Sequence, residues 1–314
     1  MSYSRLEQDF IDLFDGKRSA HLSKYVHLYR PEIYDDIVND SRYYIYKLEC
    51  EIIKKFADKI MLGVNNIFHV VELGPGSHSP VSSKTLPVLE ALRENNIIKQ
   101  YTAVDITKEY AYDACQTVKN KFEDIKSNAI VTNFVSDIGV EKITDKIIFS
   151  FGGTIFCNNN ILEINQTINN ISNLLKTGEY FIIGVDITDD EQSLSVTYHN
   201  QIVHELLLNV MYNLKQELNL ENFDASAFDL VFEWQKESKD VVLYLQAQKT
   251  QQIILKDREI NINQGNKYNI INSRKSSLEI AKSVLEKYNI KIQETFILTD
   301  EFGNKFALLK TQKA

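Results

Sequence analysis

Residues 68–77 read FHVVELGPGS, an apolar run of strand length that leads directly into a loop with two glycines. Glycine lets the backbone approach a ligand closely, and open parallel sheets bind their ligands beyond the carboxyl ends of the strands. Because a lone G-x-G is a weak signal, its meaning depends on the residues around it. The loop at Gly74 and Gly76 is therefore a candidate nucleotide-binding loop.

Further β-branched, apolar runs follow along the chain, with amphipathic stretches between them. We predict strands at 68–73, 100–106, 129–135, 146–151 and 179–185. Apolar residues recur at three- and four-residue spacing in TLPVLEALRENN and EYAYDACQTVKNKFEDI, which predicts helices between the strands. This alternation of strands and helices indicates a doubly wound α/β fold with a parallel sheet.

The alternation of strands and helices ends after Asp186. A long helical stretch at 195–219 is then followed by hairpin-like runs between 240 and 262. A further helix then precedes two runs joined by EFGN, which we expect to form an antiparallel pair that closes the sheet. We therefore predict an α/β core at 48–189 and 276–314. The remaining segments, 1–47 and 190–275, are expected to form a second, α+β lobe that binds substrate.

Composition narrows the class of protein. The 314 residues are 44% hydrophobic and 25% charged, as in ordinary globular chains. The net charge of −8 has the wrong sign for coating a phosphate backbone. No apolar run approaches the length of about 18 residues that a membrane span needs, and the scattered cysteines show no metal-binding spacing. We expect a cytoplasmic protein with a small-molecule partner, and neither a nucleic acid, a membrane nor a metal.

Two aspartates follow the next two predicted strands: Asp105 ends the second, and Asp137 follows the third. A carboxylate at the first position can accept both hydroxyls of a ribose, and one at the second can reach an adenine amino group. Either aspartate could instead cap a following helix. A dinucleotide fingerprint needs G-x-G-x-x-G and an acid about 20 residues on. Asp105 lies 29 residues beyond Gly76, which disfavours a dehydrogenase.

A second glycine cluster, FSFGGTI at 149–155, ends the fourth predicted strand. It is similar to the F-x-G-S-T-I-G-N segment of the histidine-specific α-N-methyltransferases, the enzymes that trimethylate histidine in ergothioneine synthesis. Further segments resemble the same family in the same order: SRYYIYKLE at 41–49, VELGPGS at 71–77, SKT at 83–85 and AVDIT at 103–107. The resemblance implies a class I methyltransferase with a seven-stranded sheet and S-adenosyl-L-methionine as cofactor.

The resemblance also implies roles for the residues that match the family's motifs. Those implied to contact the cofactor are Glu72, Gly74, Gly76, Lys84, Asp105, Asp137 and Gly152. Lys84 matches a lysine near the methionine carboxylate, although it could be a solvated lysine at a helix start. Tyr43 and Tyr198 match tyrosines that hold the amino and carboxylate groups of the substrate. Their alternative role is ordinary packing with a satisfied hydroxyl.

Two departures from the family's pattern bear on the substrate. Cys157 falls in register with the family's substrate asparagine, and Asn158 lies one residue late, where a small bulge would restore it. The family's G-E-x-x-x-T-E-x-S-x-K segment matches residues 265–275 without gaps, which places Ile271 at the glutamate that holds the imidazole and Ser273 at the serine. Isoleucine cannot accept a hydrogen bond from an imidazole ring, so we expect a substrate other than histidine.

The sequence therefore predicts an S-adenosylmethionine-dependent N-methyltransferase that acts on the α-amino group of an amino acid or a close derivative. Two alternatives stay open. One is methylation of another small amine or hydroxyl metabolite. The other is a relative that binds the cofactor but has lost catalysis and serves as a regulatory module, which the displaced asparagine suggests.

Overall fold

The computed structural model describes residues 3–17, 25–26, 30, 32–140, 144–157 and 160–314. The chain forms two compact units. The smaller contains Met1–Arg42 and Glu191–Ser273, and the larger contains Tyr43–Asp190 and Arg274–Ala314. The boundary after Arg42 precedes the expected one because a single uninterrupted helix, Tyr44–Met61, lies wholly in the larger unit.

The helices and strands are numbered along the chain. The helices are α1 (Arg5–Phe14), α2 (Glu32–Asn39), α3 (Tyr44–Met61), α4 (His78–Pro80), α5 (Leu86–Arg93), α6 (Lys108–Lys121), α7 (Thr154–Cys157), α8 (Ile161–Leu174), α9 (Glu191–Tyr198), α10 (Gln201–Glu217) and α11 (Leu278–Lys287). The strands are β1 (His69–Leu73), β2 (Gln100–Asp105), β3 (Lys126–Val131), β4 (Lys146–Ser150), β5 (Tyr180–Asp186), β6 (Phe228–Gln235), β7 (Asp240–Ala247), β8 (Gln251–Leu255), β9 (Arg258–Ile262), β10 (Lys267–Arg274), β11 (Ile290–Thr299) and β12 (Lys305–Lys313). A π-helical turn, Val81–Thr85, joins α4 to α5.

The larger unit is built on a seven-stranded sheet in the order β11-β12-β5-β4-β1-β2-β3. The pairs from β5 to β3 are parallel, whereas β12 runs antiparallel to both β5 and β11. The strand order reverses direction between β1 and β4, and such a switch point opens a ligand-binding crevice at the carboxyl ends of the strands. Both glycine clusters lie at this crevice, since one follows β1 and the other follows β4.

The third strand corrects one prediction. It spans Lys126–Val131 rather than 129–135. The side chain of Asn133 accepts a hydrogen bond from the backbone N–H of Val135 at 3.0 Å, which turns the chain away from the sheet. Asparagine favours such local turns over ladder pairing. The apolar residues after Val131 therefore lie in a loop.

The core of the larger unit lies between the sheet and its covering helices. Apolar side chains of β1, β4 and β5 pack with those of α8 and α11 in one buried cluster that includes Val71, Ile148, Phe181, Ile164, Ile168, Ile171, Ala281 and Leu285. These helices bury isoleucines and alanine at three- and four-residue spacing, as an amphipathic helix on a sheet requires. The cluster fixes the strand ends on which the site is built.

The smaller unit has a three-stranded sheet in the order β10-β7-β6 and a β8–β9 hairpin. Its core is aromatic: the ring centroids of Phe14 lie 4.7 Å from Tyr268 and 6.1 Å from Phe223, and Phe10 packs edge-on against Phe14. Edge-to-face packing of this kind stabilises aromatic clusters. In the part of the chain that the structure describes, no helix is long and apolar enough to cross a membrane.

Candidate cofactor and substrate site

The loop after β1 has the backbone conformation that glycine permits. Gly74 and Gly76 adopt φ angles of +69° and +73°, a region that L side chains rarely occupy. The backbone N–H of Gly74 donates to the carbonyl of Val104 at 2.8 Å, which ties the loop to β2. A Cβ at Gly74 would lie 3.6 Å from Thr154, so the loop also lies against the segment that follows β4.

Asp105 is the last residue of β2 and is buried. Its Oδ1 accepts the backbone N–H of Thr107 at 2.8 Å, and the backbone amides of Gly76 and Ile106 lie near the carboxylate. Burial raises the pKa of Asp105 to about 6, against these amides, which favour the ionised form. The N-cap of the following helix is Thr107, so Asp105 is not the cap. Its carboxylate faces the glycine loop instead.

Asp137 has a different environment from Asp105. It is exposed, and its Oδ1 accepts the backbone N–H of Gly139 at 2.9 Å within a turn. The described residues that follow, 138–140, are not helical, so the aspartate caps a turn rather than a helix. A contact between Asp137 and adenine stays a prediction.

Lys84 and Glu49 form a buried ion pair next to the second glycine cluster. The Nζ of Lys84 lies 3.0 Å from the Oε2 of Glu49, and both side chains are shielded from water. The same Oε2 accepts the backbone N–H of Gly152 at 2.7 Å. A Cβ at Gly152 would lie 3.9 Å from Nζ. Lys84 is thus a buried residue at the carboxyl end of β4, and not a solvated lysine.

Glu72 is fully buried at the end of β1, and protein hydroxyls occupy its carboxylate. Thr85 donates at 2.8 Å and Tyr101 at 2.5 Å. Burial raises the pKa of Glu72, an effect that these two hydrogen bonds oppose. Because Thr85 follows Lys84 directly, Glu72 fixes the turn that carries the lysine, and its predicted role toward the cofactor would be indirect.

Tyr198 and Ser273, two of the predicted substrate residues, lie together in the smaller unit. The hydroxyl oxygens are 3.0 Å apart, and both residues are buried. Ile271 is half-buried on β10 and, two residues before Ser273, points to the same face of the strand. The structure therefore groups three of the five predicted substrate residues.

The two other predicted substrate residues belong to the larger unit by their sequence positions. Tyr43, half-buried, is the N-cap residue of α3 in the larger unit. Asn158 lies outside the described residues. Cys157, in register with the family's asparagine, is buried in α7, where burial raises the pKa of its thiol to about 12. Its Sγ would contact a Cβ at Gly153 at 2.9 Å, so this glycine leaves room for the thiol.

Sequence reasoning assigns no role to Glu49, although a signal exists. On α3 the buried positions include Ile45, Leu48, Glu49, Ile52 and Ile53. Glu49 is thus a carboxylate at the spacing of the apolar face. Acidic residues are almost never fully buried unless they are paired, so a glutamate in this pattern predicts a buried partner. The pattern cannot name that partner, which is Lys84.

These residues fit S-adenosyl-L-methionine. Asp105 would offer a carboxylate to the ribose hydroxyls, and Lys84 would offer a cation to the methionine carboxylate. The glycines at 74, 76 and 152, with positive φ angles, would leave the backbone open to the ligand. Among the described residues, no group of His, Cys, Asp and Glu could hold a metal ion.

The order and directions of the seven strands are those of the class I methyltransferase fold. The fold is similar to that of magnesium protoporphyrin IX methyltransferase from Synechocystis PCC 6803. With bound SAH, the TM-score is 0.51 at 10% identity, over 93% of this chain and 98% of that one. With bound SAM, the TM-score is also 0.51, at 8% identity over 93% and 95%. This likeness confirms the predicted fold.

The chain belongs to the family described as "Histidine-specific methyltransferase, SAM-dependent", whose profile matches residues 28–311. It is similar to the histidine N-alpha-methyltransferase of Mycolicibacterium smegmatis (strain ATCC 700084 / mc(2)155), with 21% identity over 71% of this chain and 68% of that protein. The relative of the same name from Mycobacterium tuberculosis (strain CDC 1551 / Oshkosh) has the same values. The predicted family, enzyme class and cofactor are confirmed.

Proposed function

We propose that this methyltransferase acts on the α-amino group of an amino acid, or a close derivative, other than histidine. The observation that carries the proposal is the buried Tyr198–Ser273 hydroxyl pair with Ile271 beside it on β10. Two hydroxyls suit the polar part of an amino acid. The neighbouring isoleucine offers an apolar surface at the position where the family places the glutamate.

Ile271 gives the physical reason for excluding histidine. An imidazole N–H that is buried without an acceptor forfeits about 1–3 kcal/mol of binding free energy. An apolar or aromatic side chain has no such requirement. Apolar pockets discriminate by only about 1–3 kcal/mol per methylene, so we expect modest selectivity among the accepted amino acids.

The protein itself forms no covalent bond in this reaction. The cofactor supplies a methyl group on a sulfonium, and the acceptor must be a neutral amine. The tasks of the chain are to bind both molecules, to align the amine lone pair and to exclude water. Tyr198 and Ser273 are suited to orienting the substrate, and no nucleophilic side chain is required. The parts of Tyr43 and Asn158 stay predictions from the resemblance.

Calorimetric titration tests this proposal. The protein, saturated with S-adenosylhomocysteine, is titrated with a panel of free amino acids that includes histidine. We expect an apolar or aromatic amino acid to bind more tightly than histidine, and its affinity to fall in Tyr198→Phe and Ser273→Ala. The matched control is Ser238→Ala, an exposed serine of the same unit, which should leave affinity unchanged.

Two outcomes would contradict the proposal. Tighter binding of histidine than of any other amino acid would show that the interpretation of Ile271 is wrong. Absence of amino-acid binding that depends on the cofactor product would favour another metabolite as substrate, or a relative without catalysis. A methylation assay with small amines and alcohols separates those two.

A further inference from the structure

Glu49 has a buried carboxylate oxygen to which no residue in the described ranges donates a hydrogen bond. Its Oε2 receives both the Lys84 ammonium at 3.0 Å and the Gly152 N–H at 2.7 Å, whereas its Oε1 receives neither these nor any other donor from the described residues. The residue is fully buried. A buried carboxylate oxygen left in this state loses its hydration without replacement, so each such group in a native protein requires an explanation.

Strand β5 shows how the structure makes room for this oxygen. Gly184 has an ordinary extended backbone, so no positive φ demands glycine at this position. A Cβ there would clash with the Oε1 of Glu49 and with the ring of Phe306. Gly184 follows the last residue of β5 that pairs with β4, at the carboxyl ends of both strands. The free oxygen therefore lies at the edge of the sheet where the cofactor residues converge.

We propose that Glu49 and Lys84 together bind the amino-acid part of the cofactor, with the Oε1 of Glu49 accepting a hydrogen bond from its α-ammonium group. That part is a zwitterion, with one ammonium and one carboxylate. A protein glutamate beside a protein lysine presents the complementary pair of charges. Glu49 is thus a further binding residue for the established cofactor class, independent of the substrate proposed above.

The sulfonium gives a second electrostatic reason for Glu49. The cofactor carries its own positive sulfur, and a buried lysine with no counter-ion would repel it in a site of low dielectric. The carboxylate 3.0 Å from the Lys84 ammonium compensates that charge. The pair can therefore face the methionine carboxylate without adding net positive charge beside the sulfonium.

The proposal is tested by a thermodynamic cycle in which one protein variant is combined with one ligand analogue. Wild type and Glu49→Gln are titrated by calorimetry with S-adenosylhomocysteine and with its analogue in which hydrogen replaces the α-amino group. In the wild type, we expect the parent compound to bind about ten- to a hundredfold more tightly, the fold-change of one charged hydrogen bond. In Glu49→Gln the preference should fall to within about twofold, since the missing contact involves the ammonium alone.

The control is Glu51→Gln, an exposed residue of the same helix, which should keep the full preference. Gly184→Ala is a second variant that retains the carboxylate but displaces its free oxygen, and it should lose the preference as well. A preference that persists undiminished in Glu49→Gln and Gly184→Ala would overturn the proposal. So would a wild type that binds the two ligands equally. If Glu49 had a purely structural role, Glu49→Gln would bind both ligands less tightly by the same factor, and this result would also contradict the proposal.

Discussion

Two of the buried lysine–carboxylate pairs in the larger unit differ in how completely their carboxylate oxygens are satisfied. In the first, Lys84 and Glu49 are 3.0 Å apart; in the second, Lys275 and Asp186 are 2.7 Å apart. The Oδ2 of Asp186 also accepts the Tyr44 hydroxyl at 2.7 Å, and its Oδ1 accepts the Thr188 N–H at 3.1 Å. Both oxygens of Asp186 therefore accept hydrogen bonds, whereas one oxygen of Glu49 has no donor in the part of the chain that the structure describes.

The sequence positions of the two pairs explain the difference. Tyr44, Asp186 and Lys275 each lie within a few residues of a point where the chain passes from one unit to the other, after Arg42, Asp190 and Ser273. A closed network there anchors three chain segments of the larger unit. The Glu49–Lys84 pair lies beside Gly152 and Gly184, at the carboxyl ends of the strands where we predict the cofactor. We therefore assign the saturated Asp186 pair to folding and the incompletely satisfied Glu49 pair to the ligand.

The largest expected effect comes from breaking the closed pair. Asp186→Asn removes the carboxylate that faces the fully buried Lys275 ammonium, and breaking a buried pair typically costs about 3–5 kcal/mol. We expect a loss of that size in the free energy of unfolding, measured by denaturant titration. Glu49→Gln should cost less, because the Lys84 ammonium also lies 5.6 Å from the Tyr46 ring and 6.0 Å from the Phe151 ring. Equal losses of unfolding free energy in the two variants would show that the two pairs do not differ in their contribution to folding.

The next effect concerns the other end of the cofactor. Asp105→Ala should weaken binding of S-adenosylhomocysteine by more than about 1.5 kcal/mol, the scale of a hydrogen bond to a charged group. Calorimetry on the folded variant measures it. Unchanged affinity would remove Asp105 from the site and would leave the Glu49 pair as the main anchor of the ligand.

The pH dependence of that binding follows from the pKa of Asp105, which burial raises from 3.8 to about 6. The ionised form, the better acceptor for hydroxyls, prevails above that value, so affinity should rise between pH 5 and 7. Stability moves the opposite way: the contribution of Asp105 is fully present below 3.8 and is lost as pH rises through about 6. Asp105→Asn should flatten the pH dependence of both ligand affinity and stability. If the variant retains either pH dependence, that dependence arises from another titratable group.

The smallest expected effect lies in the smaller unit. Ile271→Glu should recover part of the roughly 1–3 kcal/mol by which the wild type disfavours histidine, because the carboxylate restores an acceptor. Isothermal titration with histidine and one apolar amino acid measures the change in preference. Ile271→Gln is the matched control for charge. If neither variant gains affinity for histidine, the register of residues 265–275 on the family motif is wrong.

Much of the fold could be predicted, and the residues proposed to bind the cofactor could be selected, because the information is local. The apolar runs, the glycines at 74, 76 and 152, and Asp105 at a strand end are visible in short windows of sequence. The end of β3 was not predictable from apolar character, since Asn133 turns the chain by a local hydrogen bond. Glu49 shows the other limit: its partner Gly152 is 103 residues away, and only the folded sheet brings them together.

A crystal structure of the protein with S-adenosylhomocysteine tests the central claim most directly. We predict the ligand at the carboxyl ends of β1, β2 and β4, with its ammonium within about 3 Å of the Oε1 of Glu49 and its ribose hydroxyls at the same distance from Asp105. A complex in which that oxygen of Glu49 still has no donor, or in which the ligand lies away from both carboxylates, would contradict the account.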